Sequence, residues 1–357
     1  MRRLLFYCSL LFVVILLFSC SKETKEEIEK PSDELTAQQK EGKELAESLW
    51  ATSPLQEQPL DENRTLTFER IQEYADKCTS DYFESYLKSI DLTSESQEKY
   101  DVLLYYYRYA FDRILNDIKN ENVEDGTAHI WMLYNMGYVV KTPSCCFAID
   151  IMHRWAEKLA PYLDFLCLTH NHQDHYDTKL IEAMLAEGKP VISNFIEEGK
   201  EYYSKSPSNY KIGKVSVRTS ITDHNNSGLS NFVTVYSIDC GNDSGNLTIM
   251  HTGDSNYKPS QFTNILNRVN ILIPRYAPNE LTENNIIGEG NGKVIPDYVL
   301  LSHILELTHV DTEASRWSLP MALERASKIN CAQTYVPMWG EKLIWKDNKL
   351  NQGIWEE

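Results

Sequence analysis

The sequence predicts a layered α/β body that follows a helical segment, and three observations lead to this prediction. Residues 36–120 carry apolar side chains at helical spacing with few glycines. From Gly126 onward, short apolar or β-branched runs are separated by turn residues such as those at 135–137 and 142–144. Amphipathic helical stretches alternate with these runs. Interleaved strands and helices are typical of sheets covered by helices.

The first residues indicate an export signal rather than part of the fold. Two arginines precede a mostly apolar run at residues 4–18, which is shorter than the ~20 residues that a membrane-spanning helix needs. The run ends in Ser19-Cys20 and resembles a bacterial lipoprotein signal, in which the cysteine is lipidated and becomes the new N-terminus. An uncleaved anchor and an ordinary signal peptide are the alternatives. We predict a signal at residues 1–19, a lipid on Cys20, and a membrane-anchored protein at the periplasmic face or cell surface.

Composition and charge describe an acidic globular protein. The 357 residues are 42% hydrophobic and 24% charged, which is the range of globular domains. The formal charge is −17, and loss of a signal containing two arginines and no acid lowers it to −19. A nucleic-acid partner is not expected, because phosphate binding needs clustered Lys and Arg and no such run is present. An acidic body would stay at an anionic membrane through its acyl chains rather than by charge.

The chain divides into a tether at residues 20–35, a helical N-terminal subdomain at 36–125 and a catalytic domain at 126–357. Helical periodicity is clearest at residues 66–90 and 100–118. An aromatic stripe at residues 105–111 either lines a ligand cleft or packs in the core, and we favour the core. No C-x-x-C motif occurs, so no obligatory disulfide framework is predicted.

The elements of the second half follow from the same patterns. Strands are predicted at residues 130–134, 138–141, 146–149, 165–168, 191–193, 215–219, 232–239, 247–250, 271–273, 298–301 and 333–337. Helices are predicted at residues 154–163, 178–187 and 319–329. We expect the loops at 194–214 and 275–293 to shape the substrate pocket.

Four potential metal ligands follow the strand at residues 165–168. They are His170, His172, Asp174 and His175. In an extended loop, residues two apart point the same way, so His170 and His172 can face one ion. The other two begin the next turn and can face a second ion. Sites in α/β proteins lie at the C-terminal ends of strands, which favours a metal site over surface histidines.

An H-x-H-x-D-H motif at a strand-to-helix turn resembles the metallo-β-lactamase fold superfamily. Further residues of the family pattern lie near the ends of predicted strands, with Asp150 before the motif and His224, Asp254 and His303 after it. The resemblance covers about residues 126–337 and does not explain the helical subdomain. It implies an αββα four-layer sandwich with the site along the shared edge of two sheets.

The resemblance also implies two divalent metal ions, most simply Zn²⁺, with Mn²⁺ or iron as alternatives. The ligands that it implies are His170, His172 and His224 for the first ion, Asp174, His175 and His303 for the second, and Asp254 between them. Asp150 would orient the metal loop without binding metal. A water shared by two such ions becomes a nucleophile near neutral pH.

The sequence leaves more than one role open for several nearby residues. His251 lies three residues before Asp254, and strand alternation favours a supporting or structural role for it. We take His303 as a ligand and His309 with Glu306 as substrate-facing or supporting groups, although the two histidines can exchange roles. The reaction is expected to depend on Asp174, His303 and His309. His129 and His153 are expected to be ordinary structural or surface residues. Arg275 can pair with an anionic substrate group or with a nearby acid.

Antibiotic hydrolysis is disfavoured, because dizinc β-lactamases usually lack the final histidine of the motif and place a cysteine in their second site. Here His175 is present and no cysteine stands at the corresponding position. The motif looks more like the branch of sugar-phosphate lactonases and phospholipase D-type phosphodiesterases. Hydrolysis of an ester, lactone or phosphodiester, in a small-molecule or lipid-derived substrate, is therefore the leading hypothesis. A di-iron redox protein of the same fold and a non-catalytic, metal-stabilised surface-binding lipoprotein are the alternatives.

Overall fold

The computed structural model describes residues 34–88, 97–226, 228–276, 281 and 284–353. The predicted signal peptide, Cys20 and most of the predicted tether lie outside the described residues, as does part of the polar loop at 275–293. The described residues from 35 onward pack as one compact unit. The proposed boundary at residue 125 between a helical and a catalytic part stays a prediction. None of the described helices is long and apolar enough to cross a membrane.

Fourteen described strands form two sheets. The strands are β1 (Thr127–Met132), β2 (Tyr138–Lys141), β3 (Cys146–Ile149), β4 (Phe165–Cys167), β5 (Val191–Ile192), β6 (Ser208–Ile212), β7 (Val215–Thr222), β8 (Val233–Asp239), β9 (Thr248–His251), β10 (Arg268–Ile273), β11 (Ile295–Leu300), β12 (Thr334–Tyr335), β13 (Lys342–Lys346) and β14 (Lys349–Gln352).

Both sheets are mixed. Sheet 1 has the order β14-β13-β1-β2-β3-β4-β5, and its last three strands run parallel. Sheet 2 has the order β12-β11-β10-β9-β8-β7-β6, with β9 to β12 parallel and the rest antiparallel. The strands that precede the metal motif and Asp254, β4 and β9, are inner strands buried among neighbours, as near-continuous apolar runs require.

The described helices are α1 (Ala37–Trp50), α2 (Glu62–Ala75), α3 (Ser80–Lys88), α4 (Val102–Asn120), α5 (Thr178–Ala186), α6 (Glu313–Arg316) and α7 (Leu319–Ala326). Side-chain caps start several of them: Thr36 forms a capping box at α1, and Asp101 accepts from the N–H of Leu104 at α4. Two mixed sheets with flanking helices form an α/β sandwich with N-terminal helices, which confirms the predicted fold class.

Local differences from the prediction have physical causes. The helix predicted at 154–163 is a 3₁₀ helix over Ala156–Tyr162 that contains Pro161, whose missing N–H and ring disfavour a regular α-helix. The helix predicted over 66–90 divides into α2 and α3. The sequence pattern does not predict the strands β6, β13 and β14, because lysines and asparagines hide their alternation.

The N-terminal helices pack into the body rather than beside it. Arg64 of α2 forms a buried ion pair with Glu341 at 2.6 Å. The indole N–H of Trp50 and the hydroxyl of Tyr106 both donate to the main-chain oxygen of Trp339, each at 3.0 Å. Within the aromatic stripe of α4, Tyr106, Tyr107 and Phe111 are fully buried, as favoured from the sequence.

Candidate metal centre

The metal motif occupies the connection between β4 and α5. The turn Gln173–His175 is 3₁₀-helical, and Asp177 begins α5 by accepting from the N–H of Leu180 at 2.9 Å. His170 and His175 are fully buried, and Asp174 is nearly so. The histidines therefore point into the protein and not, as surface residues would, into solvent.

Three histidines form the first cluster: His170, His172 and His224. Their ligand-type nitrogens all lie within 4.8 Å of one another. His170 Nε2 lies 3.1 Å from His172 Nδ1, and the rings of His172 and His224 have centroids 4.7 Å apart. This is the group predicted for the first ion.

Asp174, His175 and His303 form the second cluster, again within 4.8 Å. Asp174 Oδ2 lies 3.2 Å from the Nε2 atoms of both His175 and His303. Asp254 lies between the clusters, since its carboxylate oxygens are 3.4 Å from His224 Nε2, 3.6 Å from His175 Nε2 and 3.5 Å from His303 Nε2. All seven residues predicted as ligands are brought together.

Unsatisfied polar atoms indicate that this arrangement suits metal ions. Among the described residues, the Nε2 atoms of His175, His224 and His303 and the Oδ1 atom of Asp254 are buried without a hydrogen bond of acceptable geometry. A buried polar atom without a partner is costly, and nitrogen and carboxylate ligands of this number are those that divalent zinc prefers. The donor set therefore fits two divalent cations.

Asp150 supports the motif from behind, in the role that the family resemblance implied. Its carboxylate accepts from the main-chain N–H of Thr169 at 2.7 Å and from the Thr169 hydroxyl at 2.6 Å. It also lies 2.8 Å from His175 Nδ1. Because the carboxylate accepts the Nδ1 hydrogen, His175 turns Nε2 towards the site.

His224 reaches the site with a different hydrogen bond. Its Nδ1 accepts from the main-chain N–H of Asn226 at 2.9 Å. That bond places the hydrogen of a neutral ring on Nε2, the atom nearest Asp254. If His224 held an ion through Nε2, its ring would carry the hydrogen on Nδ1 instead, and the bond from Asn226 would not form.

Charge is distributed unequally between the clusters. Burial, assisted by His175, lowers the pKa of His170 well below its usual range, which keeps that ring neutral. Burial acts in the same direction on His175, but the carboxylates of Asp174 and Asp150 outweigh it and raise the pKa of His175 well above its usual range. Burial would raise the pKa of Asp254, yet His303 and His224 hold it well below its usual range, so the bridging carboxylate is anionic.

The other histidines take distinct positions. His251 uses both ring nitrogens in the protein, with Nε2 3.0 Å from the Met136 oxygen and Nδ1 accepting from the N–H of Gly253, so its contacts are those of a packing residue. His153 is buried between the rings of Tyr107 and Phe111. His129 lies 2.7 Å from a carboxylate oxygen of Glu121.

The segment from His303 to His309 is a loop. Glu306 is fully buried and accepts from the N–H groups of Thr308 and His309, and from the hydroxyl of Tyr134 at 3.0 Å. His309 Nε2 is 3.9 Å from Asp174 Oδ2, farther than His303 Nε2. This geometry favours His303 as the ligand, and the assignment stays a prediction.

Two supporting residues near the site have clear contacts. Arg275 is buried and donates from Nε to the Ser255 oxygen at 3.1 Å, which fixes the turn after Asp254. The sequence places Asn135 only in a turn, yet its amide Nδ2 lies 3.2 Å from Asp174 Oδ2. The position of Asn135 just after β1 was the available sequence indication of a role at the site. Its partner, Asp174, is 39 residues away, so local spacing does not reveal the contact.

Comparison with known proteins agrees with the site. Residues 131–277 match the family model of a β-lactamase superfamily domain. A UPF0173 protein of Pyrococcus abyssi is 28% identical over 143 residues, which are 38% of this chain and 64% of that protein. The chain thus spans just under two thirds of the length of that relative.

Two solved structures are also similar. Igni18, described as a metallo hydrolase of Ignicoccus hospitalis, has 13% identity and a TM-score of 0.42 over 62% of this chain and 99% of its own. YhfI of Bacillus subtilis, a metallo-β-lactamase fold protein, has 16% identity and a TM-score of 0.42 over the same shares.

The family model matches residues 131–277, which contain six of the seven predicted ligands, so this part of the chain is similar to a β-lactamase superfamily domain.

Proposed function

We propose that this chain is a hydrolase that holds two divalent metal ions, preferably zinc, and cleaves an ester, lactone or phosphodiester. The observation that supports this most directly is the pair of clusters that share Asp254. His170, His172 and His224 would hold the first ion, and Asp174, His175 and His303 the second. When bound, such ions supply a hydroxide at neutral pH and polarise a substrate oxygen.

The protein orients the ligand side chains and excludes water from the buried side of the site. Asp150 fixes the ring of His175, and the burial of six of the seven ligand side chains leaves His172 as the more open ligand. A site closed on one side and open on the other is what a catalytic metal centre requires. Substrate would therefore approach from the side of His172 or past the partly exposed side chain of His309.

His309 is suited to hold or release a proton at the open side of the site. Its Nδ1 lies 3.1 Å from the Ser315 oxygen, which can only accept, so Nδ1 carries a hydrogen and Nε2 is left as the acceptor of the neutral ring. The His309 side chain is 39% exposed, so Nε2 can exchange a proton with substrate or solvent. We propose that His309 transfers a proton to or from the leaving group.

We also propose that the mature protein begins at a lipidated Cys20 and acts at the periplasmic face of a membrane or at the cell surface. The support is the apolar run followed by Ser19-Cys20. Labelling of growing cells with a palmitate analogue, comparing the natural chain with Cys20→Ala, tests this. Label that persists on the alanine variant contradicts the proposal.

Metal content and turnover test the catalytic proposal. The soluble chain from Ser21 should bind two ions per molecule by elemental analysis and hydrolyse chromogenic esters or phosphodiesters. Asp174→Ala should bind fewer ions and lose at least ~100-fold in kcat/KM, because Asp174 belongs to the second cluster. Asp112→Asn, which alters a half-buried pair with Arg108 on α4, is the control and should keep both properties.

Two results would overturn the proposal. One is a site that stays empty after dialysis against excess zinc. The other is full metal content without turnover of any ester, lactone or phosphodiester, which is the behaviour of a metal-stabilised binding protein.

A further inference from the structure

A cleft of about 920 Å³ adjoins the first histidine cluster. Asn171, which lies between two of the cluster's histidines in the sequence, forms part of its wall. Phe232, another wall residue, has its ring centroid 5.0 Å from that of His172 and 5.7 Å from that of His170. The cleft therefore lies beside the first histidine cluster, which it adjoins through Asn171 and Phe232.

Uncharged hydrogen-bonding side chains dominate the wall of the cleft. Four carboxamides, Asn171, Asn194, Asn231 and Gln261, contribute to it together with four aliphatic hydroxyls, among them Ser230 and Thr263. Three aromatic rings complete the surface. Carboxamides and hydroxyls can each donate and accept, which is the capacity needed to recognise substrate hydroxyl groups.

The charged groups of the wall are confined to its exposed rim. Among the described residues that line the cleft, Glu197 and Lys205 are charged, and both are exposed. The Tyr203 hydroxyl donates to Glu197 Oε1 at 3.3 Å, while Lys205 Nζ lies 5.9 Å from the Tyr203 ring centre. Their opposite charges offset each other, so the described wall carries no net charge.

Two of the carboxamides are held in fixed orientations. Asn194 Nδ2 donates to the main-chain oxygen of Phe232 at 2.9 Å, and Gln261 Oε1 accepts from the N–H of Asp223 at 3.0 Å. The Asn194 bond uses the donor end of that amide, so the cleft offers an oriented acceptor, Asn194 Oδ1. The Gln261 side chain also hydrogen-bonds to the Asp223 carboxylate, which fixes both ends of the Gln261 amide in the wall.

We propose that this cleft binds an uncharged, polyhydroxylated group, so that the substrate is a sugar-type lactone or ester without a phosphate. This proposal rests on the hydrolytic function proposed above. Amides and hydroxyls match hydroxyl groups, and aromatic rings pack against the C–H faces of such molecules. A phosphate group beyond the reacting bond would instead favour Arg or Lys with bidentate or charge-assisted contacts.

Kinetics on three lactones of one ring size test the substrate class. The zinc-loaded chain from Ser21 is assayed with glucono-1,5-lactone, its 6-phosphate and δ-valerolactone, which lacks the hydroxyls. We expect kcat/KM for the first to exceed both others by at least ~10-fold, because a site that hydrogen-bonds hydroxyls discriminates against analogues without them. Equal or faster turnover of the phosphate or of δ-valerolactone overturns the proposal.

Variants connect that preference to the cleft. Thr263→Val and Ser230→Ala should each lower kcat/KM for gluconolactone by ~3- to 10-fold and leave δ-valerolactone unaffected. Thr263→Lys should shift the preference towards the 6-phosphate. Thr65→Val on α2, whose side chain does not line the cleft, is the matched control. Equal effects of these changes on all three lactones contradict recognition in the cleft.

Binding without catalysis separates this proposal from the hydrolytic one. Saturation-transfer NMR on the metal-free chain should detect methyl glucoside, should lose most of that signal in Thr263→Val, and should show weaker transfer to glucose 6-phosphate. If methyl glucoside binds but no lactone is hydrolysed, the hydrolytic function fails while the cleft assignment stands. If no binding is detected while δ-valerolactone is hydrolysed, the cleft assignment fails alone.

Discussion

The side-chain amide of Asn135 lies 3.2 Å from Oδ2 of Asp174 and donates to the main-chain oxygen of the same residue at 3.0 Å. The main-chain oxygen of Asn135 in turn accepts from the N–H of His303 at 3.1 Å. Asn135 is fully buried and has a φ of 54°, a left-handed conformation that Asn adopts more readily than most residues. It therefore connects the two loops that carry the second cluster.

Replacing Asn135 by glycine should weaken the second metal site selectively. Asn135→Gly keeps the left-handed backbone accessible and removes only the amide that orients Asp174. We expect the affinity for one of the two ions to fall by ~10- to 100-fold and the affinity for the other to stay the same. Loss of a residue that hydrogen-bonds to a metal ligand typically has an effect of this size. Titration of the metal-free protein with Co²⁺ against a chelator measures both affinities.

A matched variant controls for the backbone conformation. Asn246 also has a left-handed φ, of 56°, but it is exposed and not part of either cluster. Asn246→Gly should leave both affinities unchanged. Equal losses at both ions in Asn135→Gly, or similar losses in Asn246→Gly, would show that Asn135 does not act through Asp174.

The case of Asn135 shows what one sequence can predict. The sequence predicts the Asn-Met-Gly turn, and the N–H of Gly137 indeed donates to the Tyr134 oxygen. Turn chemistry is local, so neighbouring residues reveal it. The contact with Asp174 depends on how β1 and the metal loop meet in space, which local spacing does not encode. The four ligands of the H-x-H-x-D-H motif could be predicted for the opposite reason, since they lie within six positions of one another in the sequence.

The same distinction applies to the strands. Inner strands such as β3 and β4 have continuous apolar runs, and their predicted limits lie close to the observed ones. Strand β13 begins and ends with lysine and joins β1 from more than 200 residues away, as in the pairing of Ile130 with Leu343. Its place in sheet 1 depends on that distant partner rather than on its own pattern.

A buried ion pair joins the N-terminal helices to the body, and breaking it should destabilise the whole unit. Arg64 donates to both carboxylate oxygens of Glu341, at 2.6 and 2.8 Å, and both side chains are almost completely buried. Glu341→Gln leaves the guanidinium buried without its counter-charge and should lower the free energy of unfolding by ~3–5 kcal/mol. Urea denaturation followed by tryptophan fluorescence measures this.

An exposed pair supplies the comparison. Lys43 and Glu47 form an ion pair on α1 with side chains 40% and 29% exposed. Lys43→Gln should change the free energy of unfolding by less than ~1 kcal/mol, because solvent screens such pairs. Similar effects of both substitutions would mean that the Arg64–Glu341 pair does not fasten the helices to the body.

Thiol reactivity should follow burial. Burial raises the pKa of Cys78 and of Cys146 to about 12, whereas Cys331 is only half-buried. The thiolate is the reacting form, and a raised pKa leaves little of it at pH 8. Below the pKa, the thiolate fraction rises about tenfold for each unit increase in pH. In the chain from Ser21, a disulfide reagent at pH 8 should modify one thiol quickly and the others only after unfolding. A fast phase that persists in Cys331→Ser contradicts this assignment.

Close packing behind the metal loop makes Gly253 the most sensitive glycine of the site. Its φ is 48°, and a Cβ atom there would lie 2.6 Å from Thr169 Cβ, beside the residue that Asp150 holds. Gly213 has a similar φ of 55°, but a methyl group added there would meet nothing within 4 Å, so Gly213→Ala should cost only the ~1–2 kcal/mol of the left-handed conformation. Gly253→Ala should lower the free energy of unfolding by clearly more and also reduce metal content, because Thr169 must move and His170 with it. Calorimetry and elemental analysis of both variants measure the difference. Equal destabilisation, with two ions retained in Gly253→Ala, would mean that the contact with Thr169 does not position the metal loop.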